Sequence, residues 1–315
     1  MNITYRFNVI RPKSLDELLT ILAKYQRDAL PLAGGTDILI LIREGKIRPK
    51  VLVDMMALKE QLAYIRRSNG YIRIGALTTF EELCESPVFK DVRYAGFAGL
   101  CHWFATPYIK SMATIGGNIA VGHSFSDFII LSLVLDAEVR LDSIRGSRWV
   151  PISKLYLDKR LLAKSPDEVI TEVRFKELPE NSSTAFMKFD RRREHIYGYV
   201  VTAIYLRLRR TDKVIEDVRI AFDRVSKRFP ERALMTEEFL KGKVFTDEVI
   251  EEAMNRILPQ EMKRKSDFRA TAEYRLHLSK ILMKRALYLA KARILGERIE
   301  RIKLPITEFL KLSKT

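Results

Sequence analysis

The chain has 315 residues, of which 47% are hydrophobic, so it is long enough for about two domains with ordinary cores. No run reaches the roughly 18 uncharged apolar residues that span a bilayer, and the first residues lack the apolar core of a signal peptide, which together predict a cytoplasmic protein without a membrane span. The net charge of +16 is typical of nucleic-acid binders, of proteins that dock acidic partners and of thermophile surfaces; because the basic residues are spread along the whole chain, the last two classes are favoured.

The first half of the chain alternates short strands and helices. Ser14 and Glu17 have the spacing of a capping box, and a stripe of leucines follows them, so we expect a helix over residues 14–28. Strands are expected over 51–54 and 71–76. The further expected elements are a helix that opens at Thr79 and Glu82, strands over 137–141 and 168–175, and a turn over 143–147.

The second half begins after the polar segment 179–183, which is the best linker candidate and predicts a domain boundary. The chain becomes helical from about residue 236, and the clearest long helix is expected over 273–294. This alternation of strands and helices predicts an α+β or α/β fold. The strand-like stretches of this half lie at 186–189, 200–208 and 214–222.

Two glycine pairs, each within an apolar run, are the most informative motifs of the chain. The first is Gly34-Gly35, followed by Thr36, and the second is Gly116-Gly117, followed by Asn118. We expect each pair to interrupt a buried strand with a turn whose backbone N–H groups lie bare, so that the two turns form a cradle for a diphosphate. The alternative is a pair of tight turns or bulges in an ordinary sheet. Neither pair has the GxGxxG or GxxxxGK(S/T) pattern, which disfavours the Rossmann and P-loop readings.

An ordered set of motifs then points to a known family. The sequence resembles the FAD-binding middle subunit, or domain, of the molybdenum hydroxylases, which include xanthine dehydrogenase and the aerobic carbon monoxide dehydrogenases. The resemblance covers residues 1–290 and is highly specific as a set. Its motifs are Ala33–Asp37, Trp103–Ala105, Ser111–Ile119, Ser126–Asp127, Phe186–Phe189 with Arg191 and Arg192, and the closing signature Asp267–Arg275.

The resemblance implies an α+β fold with a FAD-binding domain of the vanillyl-alcohol oxidase type. Two α+β subdomains, over 1–57 and 58–178, form that domain. A C-terminal α+β domain of the carbon monoxide dehydrogenase flavoprotein type follows over 179–290. Beyond the resemblance, the charged residues of the chain's last part predict a charged helical tail over 291–315.

The resemblance also implies which residues bind FAD, with neither a catalytic side chain nor a metal ligand in this chain. Asp127 would accept hydrogen bonds from the adenosine ribose, although it could also cap the apolar run that follows. Lys188 would lie near the N1–C2 edge of the isoalloxazine. Tyr197 would lie against the flavin ring, with Tyr199 as its rival. The implied cofactor-binding residues are Pro31, Leu32, Ala33, Gly34, Gly35, Thr36, Asp37, Ile38, Phe104, Ala113, Thr114, Ile115, Gly116, Gly117, Asn118, His123, Asp127, Ile170, Lys188 and Tyr197.

The partners that the resemblance implies are a large subunit with a molybdenum cofactor and a small subunit with two [2Fe–2S] clusters, in a dimer of heterotrimers. Electrons would pass from molybdenum through the clusters to FAD and then to an external acceptor. Cys84 and Cys101 are the only cysteines of the chain, which are too few to hold a usual cluster. In a cytosolic chain we expect both to be reduced.

Two other functions stay open from the sequence. A stand-alone FAD oxidoreductase of the same fold would turn over a substrate without partners, and the closing signature argues against it. A basic module for nucleic acid would be colourless, and its affinity for DNA would fall steeply with salt. The substrate of the assembly and its electron acceptor are not encoded in this chain.

Overall fold

The computed structural model describes residues 5–122, 126–158, 161–190, 198–223, 229–262 and 266–297. Its strands are β1 (Asn8–Ile10), β2 (Ala29–Leu32), β3 (Val51–Asp54), β4 (Ile65–Ser68), β5 (Tyr71–Gly75), β6 (Glu138–Ser143), β7 (Gly146–Pro151), β8 (Tyr156–Asp158), β9 (Leu161–Leu162), β10 (Val169–Lys176), β11 (Ser182–Phe189), β12 (Val200–Leu208), β13 (Ile215–Asp223) and β14 (Glu231–Arg232). Its α-helices are α1 (Leu15–Tyr25), α2 (Ile38–Arg43), α3 (Lys59–Leu62), α4 (Phe80–Glu85), α5 (Gly96–Trp103), α6 (Pro107–Met112), α7 (Ile115–Ala120), α8 (Asp127–Val134), α9 (Ile152–Leu155), α10 (Leu234–Leu240), α11 (Asp247–Glu252), α12 (Leu258–Glu261) and α13 (Ala272–Leu295).

The contacts between these elements divide the chain into two units that are each discontinuous in sequence. The chain passes between them several times before residue 177. These units are defined by contacts and do not test the expected domain boundaries near 57, 178 and 290, which stay predictions. The first unit contains Met1–Glu85, Ala105–Ser126 and Asp136–Lys176, and the second contains Ser86–Phe104, Asp127–Leu135 and Glu177–Thr315.

The first unit holds a three-stranded parallel sheet and a five-stranded antiparallel sheet. The parallel sheet has the order β1-β3-β2, and the antiparallel sheet has the order β4-β5-β10-β6-β7. Helix α1 buries Leu18, Leu19 and Leu22 in a core that also contains Val51 and Val53 of the central strand β3. Strand β2 ends at Leu32, just before the first glycine pair, and Gly116 of the second pair packs on Ala76, just after strand β5. Both glycine pairs belong to this unit.

The local start signals of two helices have the predicted form. The Ser14 hydroxyl accepts a hydrogen bond from the Glu17 amide at 3.2 Å, and helix α1 begins at the next residue. Likewise the Thr79 hydroxyl accepts from the Glu82 amide at 3.2 Å, while the Glu82 carboxylate accepts from the Thr79 amide at 2.7 Å. The capping box at Thr79 is therefore confirmed, because both of its reciprocal hydrogen bonds form. At Ser14 only the N-cap bond forms, since the Glu17 carboxylate accepts from the Lys13 amide at 2.7 Å.

The second unit is built on an antiparallel sheet with the order β11-β12-β13-β14. One face of the sheet, which includes Ala185 and Met187 of β11, packs in a large core with helix α13. The alternate residues Thr184 and Phe186 contact helix α5. A Cβ on Gly99 would lie 2.6 Å from the Phe186 carbonyl oxygen, so helix α5 approaches the strand at a distance that only glycine allows. The sheet therefore lies between helices on both faces.

The α+β prediction is confirmed, but two local expectations, both about the glycine pairs, are wrong. The apolar run after Gly35 forms helix α2 instead of a strand, and the second glycine pair lies inside helix α7. The expected linker reaches into strand β11, where Ser182 and Ser183 are fully buried. Their hydroxyls donate to the carbonyl oxygens of Pro179 and Val92, so polar residues that suggest a linker are satisfied inside the fold.

Both cysteines are disulfide-bonded in the structure, which contradicts the expectation of reduced thiols. That expectation came from the compartment alone, which carries no information about where the fold places Cys84 and Cys101. Among the residues that the structure describes, no helix has both the length and the apolar character required to cross a membrane.

Candidate functional site

The first glycine pair forms a loop between strand β2 and helix α2, and its two glycines are needed for different reasons. A Cβ on Gly34 would lie 1.8 Å from the carbonyl oxygen of Met112, so the backbone at the end of helix α6 leaves no room for a side chain. Gly35 has a φ of +72°, in the left-handed region that other residues rarely adopt. The loop is therefore fixed by one close approach and one special conformation.

Three consecutive amides of this loop are available to a ligand. Within the described residues, the backbone N–H groups of Gly34, Gly35 and Thr36 donate no hydrogen bond. The Leu39 amide, at the start of helix α2, donates to the Gly35 carbonyl oxygen at 3.3 Å. A run of free N–H groups in a tight turn is a typical binding site for phosphate oxygens. The expectation of bare amides therefore agrees with the geometry of the first loop.

The second glycine pair is different, because its amides are paired within the chain. The Gly116 amide donates to the Ala76 carbonyl oxygen at 2.8 Å, and the Gly117 amide donates to the Thr114 hydroxyl at 3.1 Å. The expectation of bare amides is thus wrong for this loop. The reason is that Thr114 caps helix α7, and the helix start then uses the amides that a turn would leave free.

The two glycine loops nevertheless meet in the first unit. The position of a Cβ on Gly117 lies 3.9 Å from the Cβ of Ala33, and that of Gly34 lies 3.2 Å from the Ala113 amide nitrogen. The amides of the second pair are already paired, but Asn118 beside them has a side-chain group that a ligand could contact. The Oδ1 atom of Asn118 is buried and has no hydrogen-bond partner among the described residues. A buried oxygen without a partner costs about 1–3 kcal/mol, so it marks a place where a ligand could donate.

In the second unit, two residues that the resemblance singles out form a buried ion pair. Lys188 Nζ lies 2.9 Å from Asp127 Oδ2, and their side chains are only 9% and 5% exposed. Asp127 is the first residue of helix α8, and Lys188 lies on strand β11. Gly198 packs on the stem of Lys188, since a Cβ there would lie 3.0 Å from the lysine Cγ. The pair neutralises two charges that would be costly to bury alone.

The other aromatic and apolar candidates are distributed over both units. His123 and Tyr197 lie outside the described residues. Tyr199, the rival of Tyr197, is a core residue whose ring lies 6.2 Å from the rings of Phe189 and Tyr274. The remaining candidates are Pro31 and Leu32 at the end of β2, the exposed Asp37 before α2, Ile38 at its start, Ala113 and Ile115 beside Thr114, the buried Phe104 after α5, and the buried Ile170 in β10.

The closing signature is a structural brace, which the sequence did not reveal. The buried Arg275 donates to the Tyr199 carbonyl oxygen and to Asp267 Oδ1, the latter at 2.7 Å. Burial raises the pKa of Asp267, but hydrogen bonds from the Arg269 amide and from Arg275 outweigh it and lower the pKa below its usual value. The only signal in the sequence was an acidic residue eight positions before an arginine, which does not identify a brace by itself.

Comparison with known proteins agrees with this arrangement. Residues 5–177 match the model of the FAD binding domain in molybdopterin dehydrogenase, and residues 184–290 match the model of the CO dehydrogenase flavoprotein C-terminal domain. The carbon monoxide dehydrogenase medium chain of Hydrogenophaga pseudoflava is 28% identical over 292 residues, which cover 91% of this chain and 98% of that one. The nicotinate dehydrogenase FAD-subunit of Eubacterium barkeri is 34% identical over 192 residues, or 59% of this chain and 64% of that one.

Solved structures show the same relationship. The chain matches carbon monoxide dehydrogenase from Hydrogenophaga pseudoflava with a TM-score of 0.84 at 29% identity, over 91% of this chain and 98% of that one. Reconstituted CO dehydrogenase from Oligotropha carboxidovorans gives a TM-score of 0.85 at 28% identity, with the same coverage. Since the family models span most of the sequence, the chain belongs to the FAD-binding subunits of the molybdenum hydroxylase family, which are components of oxidoreductases.

Proposed function

We propose that this chain binds FAD at the paired glycine loops and transfers electrons between a [2Fe–2S] partner subunit and an external acceptor. The observation that carries the proposal is the meeting of the two loops. Among the described residues, three amides of one loop donate no hydrogen bond, and a buried amide oxygen of the other has no partner. Bound FAD supplies the redox chemistry, because a flavin can accept electrons one at a time and release two.

The residues of the first unit fit a diphosphate without a cationic side chain. The Gly34, Gly35 and Thr36 amides can donate to phosphate oxygens, and the Thr36 hydroxyl adds a further donor. Asn118 Oδ1 can accept from a hydroxyl of the ligand. The roles of Asp127 and Lys188 toward the ribose and the isoalloxazine rest on the family resemblance and stay predictions.

The partners follow from the family. Relatives carry names such as carbon monoxide dehydrogenase medium chain and nicotine 6-hydroxylase medium subunit, which describe one chain of a larger enzyme. We infer a complex with a molybdenum-cofactor large subunit and a [2Fe–2S] small subunit, as a dimer of heterotrimers in the cytoplasm. The net charge of +16 favours association with acidic protein surfaces. The acceptor and the substrate of the complex are left open.

The first test is the absorption spectrum of the purified chain, with chromatography of the cofactor released by heat. We expect a yellow protein that releases FAD. The sharpest variant is Gly35→Val, and its matched control is Gly70→Val. The two glycines have φ values of +72° and +73°, so both valines carry the same backbone strain, but Gly70 lies in the β4–β5 turn with no atom within 4 Å of its Cβ position. Loss of FAD from the Gly35 variant alone supports the proposal.

Other outcomes would favour the alternatives. A chain that stays colourless after addition of FAD, alone and when co-expressed with candidate partners, would refute the proposed function. If DNA binding that falls steeply with salt accompanied that result, the nucleic-acid module would be favoured. A yellow chain that oxidises a substrate without any partner subunit would instead be a stand-alone oxidoreductase.

A further inference from the structure

The ion pair between Lys188 and Asp127 is buried, unlike the other lysine ion pairs of the chain. Lys188 Nζ lies 2.9 Å from Asp127 Oδ2, and the two side chains are 9% and 5% exposed. In the other lysine ion pairs among the described residues, both side chains are at least 39% exposed. A buried ion pair adds little net stability, because desolvation offsets most of the attraction. The stability of the fold therefore gives little reason to bury these charges, which points to a role in binding.

The stem of Lys188 is confined so that its ammonium group reaches Asp127. Lys188 lies on strand β11, and Asp127 is the first residue of helix α8. A Cβ on Gly198 would lie 3.0 Å from the lysine Cγ and 3.2 Å from its Cε, so the backbone of Gly198 packs along the stem. A stem that is held in this way has already lost most of its rotamer freedom. The pair is therefore ordered before a ligand arrives, which lowers the entropy cost of binding.

Lys188 contacts only one of the two carboxylate oxygens of Asp127. A lysine ammonium is a compact point charge, whereas an arginine would engage both oxygens in a bidentate pair. Among the described residues, no other hydrogen bond to the Asp127 side chain is found. Oδ1 is therefore available to a ligand. Because an ionised carboxylate only accepts hydrogen bonds, the ligand groups that fit it are donors such as hydroxyls.

The residue before Asp127 contacts the second glycine loop. The Ser126 hydroxyl donates to the Asn118 carbonyl oxygen at 2.8 Å. Asp127 follows Ser126 directly in the chain, so it is covalently next to a residue that touches the loop proposed to contact the cofactor. This connection makes the cofactor the ligand that the available oxygen of Asp127 fits best.

We propose that Lys188 is a positioning residue that acts through Asp127, an inference that rests on the proposed function. Lys188 holds the carboxylate of Asp127 in place, and Asp127 Oδ1 accepts hydrogen bonds from the hydroxyls of the adenosine ribose of FAD. This role differs from the expected position of Lys188 at the N1–C2 edge of the isoalloxazine. An ammonium group that neutralises a buried carboxylate is engaged there and does not stabilise negative charge on the flavin.

The test compares FAD with an FAD analogue whose adenosine ribose lacks both hydroxyls. Fluorescence titration of the full chain, after removal of its FAD, gives both affinities. We expect the unmodified chain to bind the analogue about tenfold more weakly, as for the loss of hydrogen bonds to a charged group. In Lys188→Met, the affinity for FAD should fall to that for the analogue, whose own affinity stays unchanged. Lys284→Met is the matched control, since it breaks an ion pair with Glu251 in the same unit and should keep the preference for FAD.

Two other roles of Lys188 predict different results. If Lys188 only stabilises the fold, Lys188→Met should bind both ligands more weakly by the same factor, and the preference for FAD should remain. If Lys188 acts at the edge of the flavin, the preference should also remain, while the midpoint potential of bound FAD changes. We expect a lost preference and an unchanged potential. Either of the other patterns would overturn the proposal.

A second variant keeps the test decisive if Lys188→Met does not fold, since that variant leaves the charge of Asp127 buried without its partner. Gly198→Ala keeps both charges and instead crowds the lysine stem, because the new Cβ would lie 3.0 Å from the lysine Cγ. We expect this variant to bind FAD with a smaller preference over the analogue. An unchanged preference would contradict the positioning role.

Failure of this inference is distinct from failure of the proposed function. If the unmodified chain binds FAD and the analogue equally well, Asp127 does not contact the ribose, and the role of Lys188 is refuted while FAD binding stands. If the unmodified chain binds neither ligand, the proposed function itself is refuted.

Discussion

The two glycine pairs have nearly the same sequence pattern but serve different purposes. In the first loop, the Gly34 and Gly35 amides donate no hydrogen bond among the described residues. In the second loop, the Gly116 and Gly117 amides are both paired, one with a carbonyl oxygen and one with the Thr114 hydroxyl. The difference shows that a glycine pair after an apolar run identifies a close approach of backbone, but not what approaches.

The first glycine of each pair packs closely against a different part of the first unit. Gly34 makes room for the backbone of helix α6, and Gly116 makes room for Ala76 at the end of strand β5. Each glycine is thus required by the packing of the first unit before any cofactor is considered. We infer that the second loop mainly supports the position of the first and contributes Asn118, while the first provides the anion-binding amides. The predictions below test this division.

The largest effect is expected for Gly34→Ala. Its Cβ would lie 1.8 Å from the Met112 carbonyl oxygen, and a backbone atom cannot move aside as a side-chain tip can. We expect a loss of about 3 kcal/mol in the free energy of unfolding, together with loss of FAD, because the loop must rearrange. Urea denaturation of the apoprotein gives the stability. An Ala variant with unchanged stability would show that the loop has another conformation.

A smaller loss, about 2 kcal/mol, is expected for Gly116→Ala. Here the nearest atom is the Cβ of Ala76, at 2.6 Å from the new Cβ, and the Ala76 carbonyl oxygen lies at 2.9 Å. Because the closest contact is with a side chain, Ala76→Gly should partly restore the stability of the double variant. A double-mutant cycle by urea denaturation measures this coupling. Additive effects of the two substitutions would contradict the packing role of Gly116.

Replacing each loop's threonine by valine separates binding from stability. Thr114→Val removes the cap of helix α7 and should lower the free energy of unfolding of the apoprotein by about 1 kcal/mol. Thr36→Val removes no hydrogen bond found among the described residues, so the stability of the apoprotein should stay unchanged. It should instead weaken FAD binding by about fivefold, equivalent to one lost hydrogen bond. Fluorescence titration with FAD gives the affinities, and a reversed pattern would invalidate the assignment of the two loops.

The sequence predicted much of the fold because many of its signals are local. The helix-start signals at Ser14 and Thr79 depend on residues three positions apart, and in both the hydroxyl accepts from the expected amide. The run from Ile38 to Ile42 was assigned wrongly, since periodicity alone does not tell a short apolar strand from a short apolar helix. Its helical form follows the left-handed turn at Gly35, which the sequence allows but does not require.

The candidate site was predictable as a set of residues but not as a set of roles. The partners that decide the role of each glycine, Met112 and Ala76, lie far from it along the chain. In the same way, the contact between Asp127 and Lys188 joins two segments that the sequence treats as separate motifs. Resemblance to a family identifies such residues together, but only the fold shows which ones contact each other.

The smallest effect on stability, and the sharpest contrast with binding, is expected for Asn118→Leu. In the apoprotein the buried Oδ1 has no partner among the described residues, so an apolar side chain of similar size removes an unsatisfied group. We expect the apoprotein to be as stable as before, or more stable by up to about 1 kcal/mol, while FAD binds about tenfold more weakly. Thermal unfolding with and without FAD measures both quantities on one sample. If the variant loses apoprotein stability instead, Asn118 has a structural partner and the second loop contributes nothing to the ligand beyond its shape.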